Sequence, residues 1–214
     1  PLPSGSHTAR GARAAGLVDD VVARPDLPGR LCGLLGWPGT AAPRDVHVPD
    51  GDRRPPADPW GQVERARADD RARTPALLDG IDVVDELHGD RSGEDDPTVR
   101  VVLARLAGRP VVVVGMDPGA GRLLPGGYRK AWRGLDLAEQ LGVPVVTLVD
   151  TPGADASAAA EAGGIAHHIA RTFQRLLVVD TPVVALVVGE GGSGGALALA
   201  VGDRLLIQEH AMFS

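Results

Sequence analysis

The chain is 214 residues long, enough for one large domain or two small ones, and 43% of it is hydrophobic, as a globular core requires. A net charge of -6 with no aromatic-interleaved basic stripe argues against a nucleic-acid partner, and no apolar run is long enough to span a bilayer. With 3% aromatics the core must be aliphatic, and a lone cysteine, Cys32, excludes an internal disulfide or a cysteine-rich zinc site in this chain and fits a reducing, cytoplasmic setting.

No signal peptide opens the chain, and both ends, Pro1 and Ser214, read as cut. Residues 1–9 are rich in Pro, Gly and Ser and show no periodicity. Gly16-Leu17-Val18-Asp19 predicts a turn into a short strand, Val18 to Ala23, and Leu31 to Leu35 predicts a short helix. Residues 36–58 combine prolines with charges and read as a linker. Asp58 followed by Pro59 predicts a helix start, with Asp58 as N-cap and a helix running to about Ala68. Its charged face is most simply solvated. Residues 76–87 fit either a helix or a helix and turn, and HGDRSGEDD (88–96) is a polar loop.

From residue 99 the pattern changes. Val99 to Leu106 and Pro110 to Met116 are β-rich runs joined by Ala107-Gly108-Arg109, a hairpin signal. A glycine loop (117–127) leads to a helix from Gly127 to Leu141, with Ala131, Leu135, Ala138 and Leu141 on one face and Gly142 and Pro144 ending it. Val145 to Val149 is a buried strand closed by Asp150-Thr151-Pro152-Gly153-Ala154. Residues 157–178 predict one long helix with an apolar stripe of Ile165, Ala166, Ile169, Ala170, Phe173, Leu176 and Leu177. Val183 to Val188 is the next strand, then comes GEGGSGG (189–195), a helix from Ala196 to Val201 stopped by Gly202, and a last strand from Arg204 to Gln208. The alternation of strands and helices predicts a layered α/β fold, and the unbroken apolar strands predict burial on both sheet faces.

Two bends carry the chemical signal. GEGGSGG between a buried strand and a helix leaves backbone N–H groups free at the helix start, where the helix dipole also favours negative charge. DTPGA closes a second buried strand, and two neighbouring bends of this kind can aim amides at one point, as an oxyanion hole requires. Asp150 serves there as a base or, better, as a cap of its own turn. Gly191 to Gly195 also fits the G-x-S-x-G nucleophile elbow around Ser193, but only Asp203, Glu209 and His210 follow, too close for the usual triad order. A P-loop is excluded because no Lys-Ser or Lys-Thr follows the glycines. His167 and His168 are adjacent on a helix and point about 100° apart, so they do not share an ion, and no metal is expected.

Several stretches together resemble one family. GYRKAWRGLDLAEQLGVPVVTLVDTPGA (127–154) and TPVVALVVGEGGSGGALALAVGDRLLIQEHAMFS (181–214) look like the α subunit of bacterial acetyl-CoA carboxylase carboxyltransferase. DPWGQVERARADDR, DELHGDR and the Val99 to Gly115 region resemble it as well, so the likeness covers residues 58–214. ARAAGLVDDVVARPDLPGRLCGLLG (12–36) resembles the C-terminal end of the partner β subunit. The resemblance implies a β-like remnant over residues 1–36, a linker over 37–57 and an α-like domain from 58, incomplete at its end. It implies the crotonase fold, a spiral of ββα units in which backbone N–H groups form oxyanion holes.

By this resemblance the chemistry moves a carboxyl group from carboxybiotin on a carrier protein to acetyl-CoA, giving malonyl-CoA for fatty acid synthesis. The implied partners are the biotin carboxyl carrier protein, biotin carboxylase, the carboxyltransferase β portion and further copies of this chain. Zinc belongs to the β portion, outside this chain. Negative charge appears on the ureido oxygen and on the thioester oxygen, so amides rather than a reactive side chain carry the reaction. The N–H groups of Gly195 and Ala196 are the first choice for the ureido oxygen, and those of Gly153 and Ala154 the second. Gly191, Gly192 and Gly194 contact the biotin, Gly194 by permitting close approach. This chain differs from the family at three places: Asp155-Ala156-Ser157 stands for Tyr-Pro-Gly, Glu161-Ala162-Gly163-Gly164 for Glu-Arg-Gly-Gln, and Leu124-Pro125-Gly126-Gly127 for Arg-Pro-Glu-Gly. The competing classes are a serine hydrolase on a related fold using Ser193, and an inactive scaffold module.

Overall fold

The computed structural model describes residues 7–14, 18, 20–27, 29–30 and 58–214. The predicted helix at Leu31 to Leu35, the linker, Cys32 and the first six residues lie outside them. One mixed sheet organises the chain, in the order β1 (His7–Thr8), β9 (Met212–Phe213), β7 (Val183–Gly191), β6 (Val145–Thr151), β5 (Arg109–Met116), β4 (Val99–Leu106), β3 (Asp82–Glu86). β8 (Arg204–Gln208) also pairs with β7 and carries β2 (Asp20–Val22) on its far side. β5, β6, β7, β8 and β2 run parallel, whereas β3–β4, β4–β5 and β1–β9 are antiparallel.

The central strands are buried throughout: every residue of β6 and β7 is inside. Alternate side chains therefore feed two cores. Val99, Val101, Val112, Val114, Val145, Val149, Val183 and Val187 face the helices α4 (Pro125–Leu141) and α6 (Ile165–Val178), with Leu135 and Leu176 packed on them. Val102, Ala104, Val111, Val113, Val146, Leu148, Val184, Leu186 and Val188 face the other way, where Leu78 of α3 (Thr74–Leu78), Val22 and Leu27 cover them. Burying a Val or Leu side chain contributes about 1.5–3 kcal/mol, so this double layer fixes the register of β5, β6 and β7.

Local chemistry sets the boundaries. Ala107 and Gly108 alone join β4 to β5, both at positive φ (52° and 79°), the two-residue turn whose twist suits a hairpin; Arg109 is already in the strand. Asp58 caps α2 (Pro59–Arg67) by accepting from the Gly61 N–H at 2.7 Å. Gly142, at φ 62°, closes α4 in the left-handed conformation.

The structure differs from expectation at several points. Residues 9–14 form a helix, α1 (Ala9–Ala14), where no element was predicted. Residues 76–87 divide into α3 and the edge strand β3; among the described residues β3 pairs only with β4, and it is largely exposed, so it lacks the apolar alternation that reveals a strand. The long helix at 157–178 is two, α5 (Ala158–Ala162) and α6, separated at Gly163 and Gly164, with Gly164 at φ 75°. Its stripe is also narrower: Ile165 and Leu176 are buried, but Ala166, Ala170 and Leu177 face outward. After β7 the glycines are shared between elements. β7 runs on through Gly191, and the helix α7 spans Ser193–Leu197 rather than Ala196 to Val201.

Candidate functional site

β6 and β7 are adjacent and parallel, so the bends that follow them leave the sheet side by side. Gly192 N–H donates to the Thr151 carbonyl at 2.8 Å and ties one bend to the other. The two bends then touch so closely that side chains are excluded. A Cβ on Gly192 would lie 2.4 Å from the Pro152 carbonyl oxygen, and one on Gly195 would lie 2.4 Å from the Ala154 nitrogen. A Cβ on Gly191 would meet the Phe213 ring at 2.3 Å. Gly191 and Gly192 are thus buried within the junction, whereas Gly194 stands more open: a Cβ on it would meet Ile169 at 3.8 Å.

The first bend is shaped by Thr151. Its hydroxyl accepts from the Gly153 N–H at 3.1 Å and donates to the Gly153 carbonyl at 3.0 Å, while Gly153 takes φ 139°. Asp155 N–H donates to the Leu123 carbonyl at 2.9 Å, and Ser157 then caps α5. The Arg122 guanidinium sits near Gly153 and holds the Asp155 carboxyl below its ordinary value, after the larger pull of hydrogen bonds from Ser157.

The second bend turns on Ser193, a non-glycine residue at φ 58°. Its N–H donates to the Ser214 carbonyl at 2.8 Å, and the Ser214 N–H donates to the Gly191 carbonyl at 2.8 Å, so the strand end β9 fastens the turn. The first amides of a helix have no partner within it. Here the Ser193 amide is taken by Ser214 and the Ala196 amide by the Gly192 carbonyl at 3.1 Å. Among the described residues, no hydrogen bond engages the amides of Gly194 and Gly195 in the first turn of α7. Of the expected first pair, Gly195 therefore presents a free N–H, whereas the Ala196 amide is taken by Gly192. Of the second pair, the Gly153 amide is held by Thr151, and the Ala154 amide abuts Gly195. Beneath them the buried Tyr128 hydroxyl donates to the Gly195 carbonyl at 3.1 Å.

Asp150 corrects the expectation of a base or a cap of its own turn. Its side chain is fully buried, with both oxygens engaged by Arg71, at 2.6 and 2.7 Å, and by the Glu190 N–H at 3.1 Å. Burial pushes this carboxyl up, and the Arg71 guanidinium pulls it back. Glu190, itself buried, takes a second arginine, Arg67, at 2.7 and 2.8 Å. The expected solvated face of α2 thus ends in a residue bound to the sheet. Arg67, Arg71 and Tyr128 escaped sequence reasoning. The available signal was an acid, Glu190, at the end of a wholly apolar strand, which needs a buried partner.

His167 is exposed, and His168 stacks on Trp132 with centroids 5.2 Å apart, accepts from Arg129 at Nε2 and donates its Nδ1–H to the Gly164 carbonyl. Among the described residues no His donates to or accepts from the Ser193 hydroxyl, no helix is long and apolar enough to cross a membrane, and no three His, Cys, Asp or Glu residues cluster to hold an ion.

Comparisons with known proteins bear on the family and the fold. The family model described as acetyl co-enzyme A carboxylase carboxyltransferase-like matches residues 56–214. The acetyl-coenzyme A carboxylase carboxyl transferase subunits beta/alpha of Salinispora arenicola is 46% identical over 236 aligned residues, covering 100% of this chain and 42% of that protein. The carboxyl transferase subunit alpha of Rippkaea orientalis is 44% identical over 155 residues, 66% of this chain and 48% of that protein. The chain thus spans less than half the length of these curated relatives. Among solved structures, a single-chain, multi-domain long-chain acyl-CoA carboxylase shares the fold at a TM-score of 0.55 and 22% identity, over 73% of this chain and 15% of that one. A Pseudomonas malonate decarboxylase hetero-tetramer in complex with malonate does so at 0.50 and 22%, over 61% and 56%. The fold is the mixed α/β, crotonase-like fold of the carboxyltransferases, and the chain belongs to the acetyl co-enzyme A carboxylase carboxyltransferase-like family.

Proposed function

We propose that this chain provides the biotin side of an acetyl-CoA carboxylase carboxyltransferase. The observation that carries the reading is the unengaged Gly195 amide, at the start of a helix and at the contact of two bends. Such an amide suits an oxygen that gains negative charge, and the open flank of Gly194 lets a planar ring come close. Carboxybiotin, delivered on its carrier protein, supplies the carboxyl group. Gly195 binds the ureido oxygen, and Ala154 on the facing bend is the second donor. Losing one such donor costs about 3–4 kcal/mol. Arg122 adds positive charge at the mouth. The ureido nitrogen, once relieved of the carboxyl group, can take the proton from the acetyl-CoA methyl, so the chain needs no acid–base pair.

The partner portion supplies most acetyl-CoA contacts and holds the zinc. On this reading residues 1–36 are the end of a fused β portion and residues 37–57 the linker, as the beta/alpha relatives that match across the whole chain support. Carrier protein, biotin carboxylase and further copies of the chain complete the assembly. The test is biotin-dependent malonyl-CoA decarboxylation by the chain joined to its β portion. Turnover is expected, and its absence with carrier binding intact would leave a scaffold module. The positive φ of Ser193 is the one feature favouring a hydrolase. A serine-directed phosphonate that labels Ser193 and stops turnover would decide for that class.

A further inference from the structure

We infer that Arg71 and Arg67 are positioning residues: through Asp150 and Glu190 they set the two bends against each other from the opposite face of the sheet. The β6–β7 ladder is regular from Val145↔Val183 to Val149↔Val187, but the next pair is Thr151↔Gly191. β7 therefore carries extra residues opposite Asp150, and main-chain pairing alone does not define the spacing just where the bends begin. Side chains take over there. Asp150 accepts the Glu190 N–H at 3.1 Å, which ties β6 to β7 within the irregular step. Arg71 then clasps Asp150 with two hydrogen bonds, and Arg67 clasps Glu190 with two more.

Both arginines come from one short stretch, the last residue of α2 and the turn after it, so the acids of two strands are held by a single segment. The forks are bidentate, which fixes angle as well as distance. Gly189 is a glycine for this reason: a Cβ there would lie 2.4 Å from both the Arg71 Cζ and the Asp150 Oδ1. The ring of contacts runs Arg71, Asp150, Glu190, Arg67 and back through the chain. One residue beyond Asp150 is Thr151, whose carbonyl and hydroxyl shape the first bend; one beyond Glu190 begins the glycines of the second. Displacing this ring shifts Gly195 relative to Ala154, although neither arginine touches the amides.

This inference rests on the amide reading of the bends, and its test has a readout independent of turnover. Hydrogen exchange would be followed in peptides covering 150–157, 188–197 and, as an internal reference, 128–141, in wild type, Arg71→Met, Arg71→Lys and Glu190→Gln. Arg71→Met is expected to raise exchange at least tenfold in both bend peptides and to leave the reference unchanged. In the chain joined to its β portion it lowers kcat at least tenfold with KM for acetyl-CoA within twofold, and Arg71→Lys recovers part of both. Should Arg71→Met not fold, Glu190→Gln keeps the shape and is expected to raise exchange severalfold in 188–197. Unchanged exchange in the bends of a folded variant overturns the proposal. If wild type shows no carboxyl transfer, the amide reading falls while the exchange data still decide the link between the arginines and the bends.

Discussion

The Tyr128 hydroxyl reaches from the first turns of α4 to the Gly195 carbonyl, 3.1 Å away, and anchors the peptide between Gly195 and Ala196. Tyr128 is fully buried, and burial pushes its phenol far above the ordinary range, so it acts as a permanent donor. Replacing it with Phe leaves the carbonyl unsatisfied, at about 1–3 kcal/mol. Tyr128→Phe is expected to lower the melting temperature by several degrees and to slow carboxyl transfer about tenfold. A melt and an assay equal to wild type would show that the peptide is held by the helix alone.

The glycines of the second bend separate by the space around them. Gly195→Ala drives a Cβ against the Ala154 nitrogen at 2.4 Å, a backbone atom that cannot step aside. It should abolish carboxyl transfer and destabilise the fold. Gly194→Ala meets nothing nearer than 3.8 Å and removes chain entropy from the unfolded state, so it should hold or raise stability, by about 0.5 kcal/mol, while still impairing transfer by blocking ligand approach. Full activity in Gly194→Ala would place the ligand elsewhere.

Ser193 offers a test between classes. At φ 58° its Cβ costs roughly 1–2 kcal/mol that glycine avoids. Ser193→Gly should therefore stabilise the protein, and Ser193→Ala should keep most carboxyl transfer, because only the main chain is used. Loss of all turnover in Ser193→Ala, with fold intact, would support a nucleophilic serine.

The loop before β4 clamps α4 through charges. A hydrogen bond from the buried Lys130 holds the Asp95 carboxyl down at about 2, against an ordinary 3.8. Because the folded value lies below the unfolded one, the stabilisation is complete above about pH 4 and drains away as pH falls towards about 2. Asp95→Asn should melt earlier than wild type at neutral pH, with the gap closing across that acid window. A gap that stays constant through it would mean that the pair contributes nothing.

Strands and bends were readable because their signals are local. Val145 to Val149 and Val183 to Val188 are apolar without alternation, and only burial on two faces suits such runs. Gly142 announces a helix end by a left-handed conformation that few other residues reach so cheaply, and Asp58 announces a helix start by a side chain that accepts the Gly61 N–H. What escaped were elements defined by distant partners. β3 is a strand only because β4 lies beside it, and Arg67 and Arg71 looked like surface charges until Glu190 and Asp150 were brought over them. Which of the amides near Gly195 are free was equally hidden, since a one-turn shift in the start of α7 decides whether the Ala196 amide is consumed by Gly192.

The fastening of Ser193 by Ser214 has a consequence for biosynthesis. The glycine turn leaves the ribosome well before the residue that closes it, so a nascent chain halted at Ala211 would hold both buried strands and yet lack the stopper on that turn. The turn should therefore close only after β8 and β9 have been added to the edge of the sheet.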